Sequence, residues 1–286
     1  MNRLWPIARR ALLLVAIVLA GLYAVFFLAQ TSLLFQGERG LSSDPRAKGW
    51  NFEDVTVSVG SHTTHGWYLP VENARGAVLF CHGSGGNIAT HLEATRLFRS
   101  LGCSSLIFDC GGSGKSTGGP SESRCYADAR AMWDWLVETR GVPPSDIVIW
   151  GNSFGGGTAC DLAAKVKPAA LVLESTYLSL PEAAHDGLSW FPWGLFMRYR
   201  FANKDKIGKV QAPVLIIHSV DDTQYPIRHG RGLFEHANAP KTMIETRGDH
   251  YDTGVSKKSS LPKIEAFLEP VLGPQVMQKE TPASPS

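Results

Sequence analysis

Ile147-Val148-Ile149-Trp150-Gly151-Asn152-Ser153-Phe154-Gly155-Gly156-Gly157 is the stretch on which the reading of this chain turns. Ile147–Trp150 is a short apolar block of the kind that forms a buried strand. After the glycines, Thr158-Ala159-Cys160-Asp161-Leu162-Ala163-Ala164 is helix-forming. A serine between such a strand and such a helix sits on a sharp turn, with its hydroxyl clear of the backbone and directed into a cleft. Glycines flank it because side chains there would strike the neighbouring strand and helix.

Working outward, the same strand–helix rhythm recurs. Asp54–Val59 and Thr64–Leu69 alternate around a Gly-Ser turn and predict an antiparallel hairpin. Apolar runs at Ala77–Cys81, Ser105–Asp109, Ala170–Glu174, Pro213–His218 and Thr242–Glu245 predict further strands. Helices are expected at His91–Leu101, Ser123–Thr139, Ile227–His236 and Lys257–Leu268. The pattern is that of an α/β fold: a mostly parallel twisted sheet of about eight strands with helices on both faces. This domain is assigned to residues 50–270, and the polar, proline-bearing stretch 271–286 to a disordered tail.

The N-terminus has a different composition. Ala11 through Ala29 is 19 residues without a charge, long enough to cross about 30 Å of hydrocarbon as a helix. Arg3, Arg9 and Arg10 precede it, so residues 1–10 are expected in the cytoplasm and the rest of the chain on the far side of the membrane. The competing reading is a cleaved signal peptide, but small-residue cleavage sites are poor here. Residues 30–49 read as a juxtamembrane connector. One internal segment, Asp186–Ile207, concentrates Trp190, Phe191, Trp193, Phe196, Met197, Tyr199 and Phe201. It reads as a cap over the site, a membrane-facing patch or an ordinary crossover helix.

Composition excludes several classes. The 286 residues carry a net charge of +2 with both signs interspersed, so no basic face argues for nucleic acid. Charged residues make up 19%, which rules out wholesale disorder. The five cysteines lie in apolar surroundings and read as small buried hydrophobes, with a Cys103–Cys110 disulfide as the minor alternative. No zinc or other metal spacing occurs, and no cofactor is expected. Gly112-Ser113-Gly114-Lys115-Ser116 imitates the end of a phosphate-binding loop, but Asp109 stands where the first glycine belongs.

Three predicted strand ends bear chemistry, and in parallel sheets functional groups collect at the carboxyl ends. They carry Ser153, Asp222 just past Pro213–His218, and His250 just past Thr242–Glu245. These types in this order supply a nucleophile, an orienting acid and a base. Asp221 competes for the acid role but is one residue nearer the strand and is expected to point away. His218 is expected to be a structural strand-end histidine. The glycine-rich loop after Ala77–Cys81 lets an amide near Ser84 aim at a developing oxyanion, with the Phe154 amide as second donor.

With these residues in place the chain resembles the alpha/beta-hydrolase superfamily, and within it the membrane-anchored branch of protein depalmitoylases and lysophospholipid lipases. The carrying motifs are His82-Gly83-Ser84-Gly85-Gly86-Asn87, Phe108-Asp109-Cys110-Gly111-Gly112-Ser113-Gly114-Lys115-Ser116, Gly151–Gly156, Glu174-Ser175-Thr176-Tyr177 and the Asp222 and His250 segments. Gln30-Thr31-Ser32-Leu33-Leu34-Phe35 also fits that branch. Cys110-Gly111 departs from it where an aromatic–arginine pair is common, and Ser219 departs where glycine is usual. The resemblance implies a serine hydrolase acting on carboxylic esters or thioesters of small-molecule or acyl-lipid substrates. Amide hydrolysis with the same residues is the runner-up, and a catalytically silent membrane-tethered binding module the alternative from another class. Oligomeric state is not legible.

Overall fold

The structure, a computed structural model, describes residues 4–251 and 260–274. Its centre is one eight-stranded sheet: β1 (Glu53–Val59), β2 (His62–Leu69), β3 (Ala77–Cys81), β4 (Ser104–Asp109), β5 (Ile147–Asn152), β6 (Ala170–Glu174), β7 (Val214–Ser219) and β8 (Lys241–Thr246). Their spatial order is β1-β2-β4-β3-β5-β6-β7-β8. The β1–β2 hairpin joins β4 antiparallel, and every later pairing is parallel. Such strands are buried on both faces, as the near-complete burial of β3 to β7 shows.

Alternate side chains feed two cores. On one face Val78, Phe80, Val148, Trp150 and Ile217 pack against α2 (Ala94–Ser100) and α9 (Leu261–Leu272). On the other, Leu79, Leu106, Ile149 and Leu173 pack against α3 (Glu122–Asp134) and α4 (Gly155–Ala163). Between β6 and β7 run the short helices α5 (Leu180–Gly187), α6 (Trp193–Phe196) and α7 (Lys204–Ile207), and between β7 and β8 runs α8 (Arg228–His236).

Helix boundaries differ from the sequence expectation for identifiable reasons. The helix expected over Ser123–Thr139 leaves α geometry at Trp135, where a π-type turn runs to Thr139. The last helix continues to Leu272, so the expected tail from 271 loses its first residues; the remainder lies outside the described residues from 275 onward, as does the expected start at Lys257. At the N-terminus a single 31-residue helix, α1 (Leu4–Leu34), extends past Ala29 into the expected connector. Gln30 and Thr31 continue it because both side chains find partners on the 186–207 segment: Gln30 Nε2 donates to the Phe196 carbonyl (3.1 Å), and Thr31 Oγ1 meets the Tyr199 hydroxyl (2.8 Å).

The connector is laced to the domain. The Glu38 amide donates to the Gly86 carbonyl and the Gly114 amide to the Glu38 carbonyl, while Asn87 Nδ2 donates to the Gly40 carbonyl at 2.7 Å. All five cysteines are free. Cys103 and Cys110 flank opposite ends of β4, separated by roughly 20 Å of extended chain, far beyond disulfide reach.

Close approach of α4 to β3 sets the geometry around Ser153. A Cβ on Gly155 would lie 2.1 Å from the Cys81 carbonyl oxygen and 2.4 Å from that of His82. Alanine normally favours a helix over glycine, yet Gly155→Ala is expected to lower the melting temperature of the detergent-solubilised chain by roughly 5–10 °C. An unchanged melting temperature would mean that α4 can retreat from β3 at little cost.

Candidate active site

Ser153 occupies the turn between β5 and α4 with a φ of 51°, in the left-handed region. Its backbone is tied on both sides: its amide donates to the Glu174 carbonyl (2.8 Å), and its carbonyl accepts from Thr176 Oγ1 (2.7 Å). The Phe154 carbonyl accepts from the Tyr177 hydroxyl at 3.1 Å. Added Cβ atoms would meet Ala159 at Gly151, Thr176 at Gly156 and Phe201 at Gly157, each within 2.6 Å. The glycines of the motif are thus contact points with three different elements.

Three residues from separate strand ends meet here. Ser153 Oγ lies 2.8 Å from His250 Nε2, and His250 Nδ1 lies 2.8 Å from Asp222 Oδ2. Asp222 Oδ1 accepts from the amides of Gln224 (2.9 Å) and Tyr225 (2.8 Å). Burial pushes the Asp222 carboxyl up, but the His250 hydrogen bond and the Tyr225 amide outweigh it and hold the group below its ordinary value. An ionised Asp222 can only accept, so the imidazole proton sits on Nδ1 and the Nε2 lone pair faces the serine hydroxyl.

Asp221 points elsewhere. Its carboxylate accepts from Arg247 Nη1 (3.1 Å) and the Gly248 amide (3.3 Å). Ser219, standing where glycine is usual, donates to the Gly248 carbonyl at 2.5 Å and accepts from the Asp221 amide at 3.1 Å. The loops bearing Asp222 and His250 are therefore braced against each other. His218 is fully buried with Nε2 on the Tyr225 carbonyl (2.7 Å) and does not reach Ser153; burial holds its pKa down.

The loop after β3 supplies the opposite wall. Gly83 lies against Ser153, with an added Cβ 3.6 Å from that of the serine, and Ser84 follows it into the cleft. The Phe154 amide belongs to the first turn of α4, where amides lack intrahelical acceptors. From Ser84 and Gly155 a narrow apolar pocket runs between Phe35, Phe108, Cys110 and Phe154. The cleft at Ser153 is lined by Gly83, Ser84, Asn152, Glu174, Gln224 and Tyr251 among others, and no residue of 186–207 is among them. Phe196 and Trp193 of that segment pack on Tyr23 and Phe26 of α1, while Tyr199 and Phe201 pack on Phe35 and Phe154.

Two features escaped the sequence. Phe35, one residue past α1, stacks edge-on against Phe154 with centroids 5.3 Å apart, and no local pattern links residues so distant in the chain. Thr176 and Tyr177 hold the turn from β6, visible beforehand only as a quoted motif. The Gly112–Ser116 loop has a structural role: Ser113 Oγ donates to the Gly86 carbonyl (2.9 Å), Ser116 Oγ donates to the Asp109 carbonyl (2.6 Å), and Lys115 pairs with Asp54.

A family model described as alpha/beta hydrolase fold matches residues 76–208, and the eight-stranded, mostly parallel sheet has that fold. It is 35% identical over 185 residues to an uncharacterized protein of Mycobacterium tuberculosis, covering 64% of this chain and 66% of that one. It is 29% identical over 198 residues to a lysophosphatidylserine lipase of Danio rerio, covering 62% and 51%. The chain thus spans half to two thirds of these relatives' own lengths. An esterase from Pyrococcus furiosus shares the fold with a TM-score of 0.69 at 18% identity, covering 83% of this chain and 100% of that one.

His91 sits on the cleft wall, stacked on His82 at 4.5 Å with Nε2 on the Gly85 carbonyl at 2.8 Å. Burial lowers its pKa from 6.5 to about 4, and the charge of His82 acts in the same direction. Because the unfolded chain binds this proton first, the stability it contributes is complete above pH 6.5 and is lost as pH falls toward 4. His91→Gln, which can still donate to Gly85, is expected to flatten the pH dependence of urea unfolding across that window. An unaltered slope would remove His91 as its source.

Proposed function

We propose that the protein is a serine hydrolase that cleaves carboxylic ester or thioester bonds of acyl substrates through an acyl-enzyme. The observation that carries this reading is the continuous relay from Ser153 Oγ through His250 to Asp222, with both links at 2.8 Å. Ser153 attacks the acyl carbonyl as His250 Nε2 takes its proton. Asp222 fixes the tautomer and stabilises the imidazolium. The amides of Ser84 and Phe154 receive the charge that develops on the carbonyl oxygen. His250 then protonates the departing alcohol or thiol, and water, deprotonated by the same imidazole, releases the acid.

Two features support an apolar acyl group. The cavity beside the oxyanion loop is walled by Phe35, Phe108 and Phe154, and a similar protein of Danio rerio is a lysophosphatidylserine lipase. Helix α1 is apolar enough to cross a membrane over Ala8–Leu34. Arg9 and Arg10 at its start favour a cytoplasmic N-terminus, with residues 11–29 as the membrane anchor and the hydrolase domain over 50–270 on the opposite side.

A fluorophosphonate probe is expected to label the chain, and Ser153→Ala to abolish both labelling and ester turnover. Asp222→Asn should retain the fold and lose about 10³–10⁴ in kcat, since the asparagine amide reverses the hydrogen-bond polarity toward Nδ1. A folded wild-type protein that resists the probe would sink the proposal. In a panel of esters and matched amides graded by acyl length, longer chains and esters should be preferred; faster amide cleavage would favour a peptidase or amidase.

A further inference from the structure

Residues 188–196 present an unusual surface. Trp190 is 77% exposed and Leu195 80%, with Leu188 beside them at 38%. Phe191 bridges the group, with ring centroids 5.9 Å from Trp190, 4.6 Å from Trp193 and 5.1 Å from Phe196. Exposed aromatic and aliphatic side chains clustered this closely mark a contact surface.

What covers that surface follows from its neighbour. Phe196 packs on Tyr23 and Trp193 on Phe26, at centroid distances of 5.4 Å and 5.9 Å. Starting from Arg10, about 30 Å of hydrocarbon is crossed by roughly 20 helical residues, which brings the far membrane face to about Gln30. Tyr23 then lies about 10 Å inside that face, and any residue touching it is at membrane depth. Gln30 accepts from the Arg198 amide at 2.7 Å besides donating to the Phe196 carbonyl, so backbone that would face lipid is paired within the protein. Arg198, its guanidinium 5.3 Å from the Phe27 ring, stands at the headgroup level.

We infer that residues 188–196 are a lipid-embedded patch that docks along α1 and holds the hydrolase domain down on the bilayer, with the Phe35–Phe154 cavity at the membrane surface. The patch and the cavity are joined: Tyr199, at the end of the segment, packs on Phe35 at 5.0 Å, and Phe35 packs on Phe154. An acyl chain leaving the leaflet meets this aromatic wall before it meets Ser153. The link to substrate supply rests on the hydrolase reading; the lipid contact does not.

The test uses the full chain in phosphatidylcholine–phosphatidylglycerol vesicles, spin-labelled after Trp190→Cys or Leu195→Cys, with Ser145→Cys as an aqueous reference. Labels at 190 and 195 should collide more with oxygen than with a water-soluble nickel complex, and the label at 145 the reverse. Equal nickel access at all three positions would overturn the lipid contact, and so would spin–spin broadening at 190 and 195, which would identify a second copy as the occupant. In a second arm, Trp190→Ser with Leu195→Ser should cut hydrolysis of a vesicle-borne long-chain ester about tenfold, while turnover of a water-soluble short-chain ester stays unchanged. Equal rates for variant and wild type on the vesicle-borne ester would overturn the supply role. A wild-type protein inactive on both esters would refute the hydrolase reading instead, and the label depths would then decide the lipid contact alone.

Discussion

Ser153 can hold a φ of 51° only because both of its peptide groups are tied to the end of β6. A non-glycine residue in this region costs about 1–3 kcal/mol, so the surroundings must over-determine it. The Glu174 carbonyl and the Thr176 hydroxyl do so from one side, and the contact of Gly155 with β3 does so from the other. With the turn fixed, the hydroxyl meets His250.

Asp222 and His250 depend on a second constraint. Asp222 and His250 sit on loops after adjacent strands, and loops are ordinarily the mobile parts of a sheet protein. Here Ser219 and Asp221 clasp the backbone of Gly248 from both its carbonyl and its amide. The side chain that departs from the usual glycine therefore acts as a strut between the two loops. The carboxylate of Asp222 stays charged while buried because two amides and the imidazole surround it.

Much of this was legible beforehand, for physical reasons. Buried parallel strands announce themselves as apolar runs, so Ala77–Cys81, Ile147–Trp150 and Ala170–Glu174 stood out without partners being known. The Ser153, Asp222 and His250 positions follow from strand ends, which are local features. Strand order is not local: nothing in β2 says that it lies beside β4 rather than β3. The docking of α1 on 186–207 was likewise hidden, because two apolar segments some 165 residues apart carry no mark of mutual fit. Nor does the apolar run ending at Ala29 tell how far the helix continues, because the partners of Gln30 and Thr31 are tertiary.

The hydrogen bonds that lace residues 37–40 to the loops after β3 and β4 alter what the anchor is. Gly37 and Phe35 stand on the wall of the cavity beside Ser84, so the strand leaving the helix is masonry of the pocket as well as a tether. A protease that cut beyond residue 40 would not leave the same domain behind. It would remove one side of the chamber and leave a more open cleft.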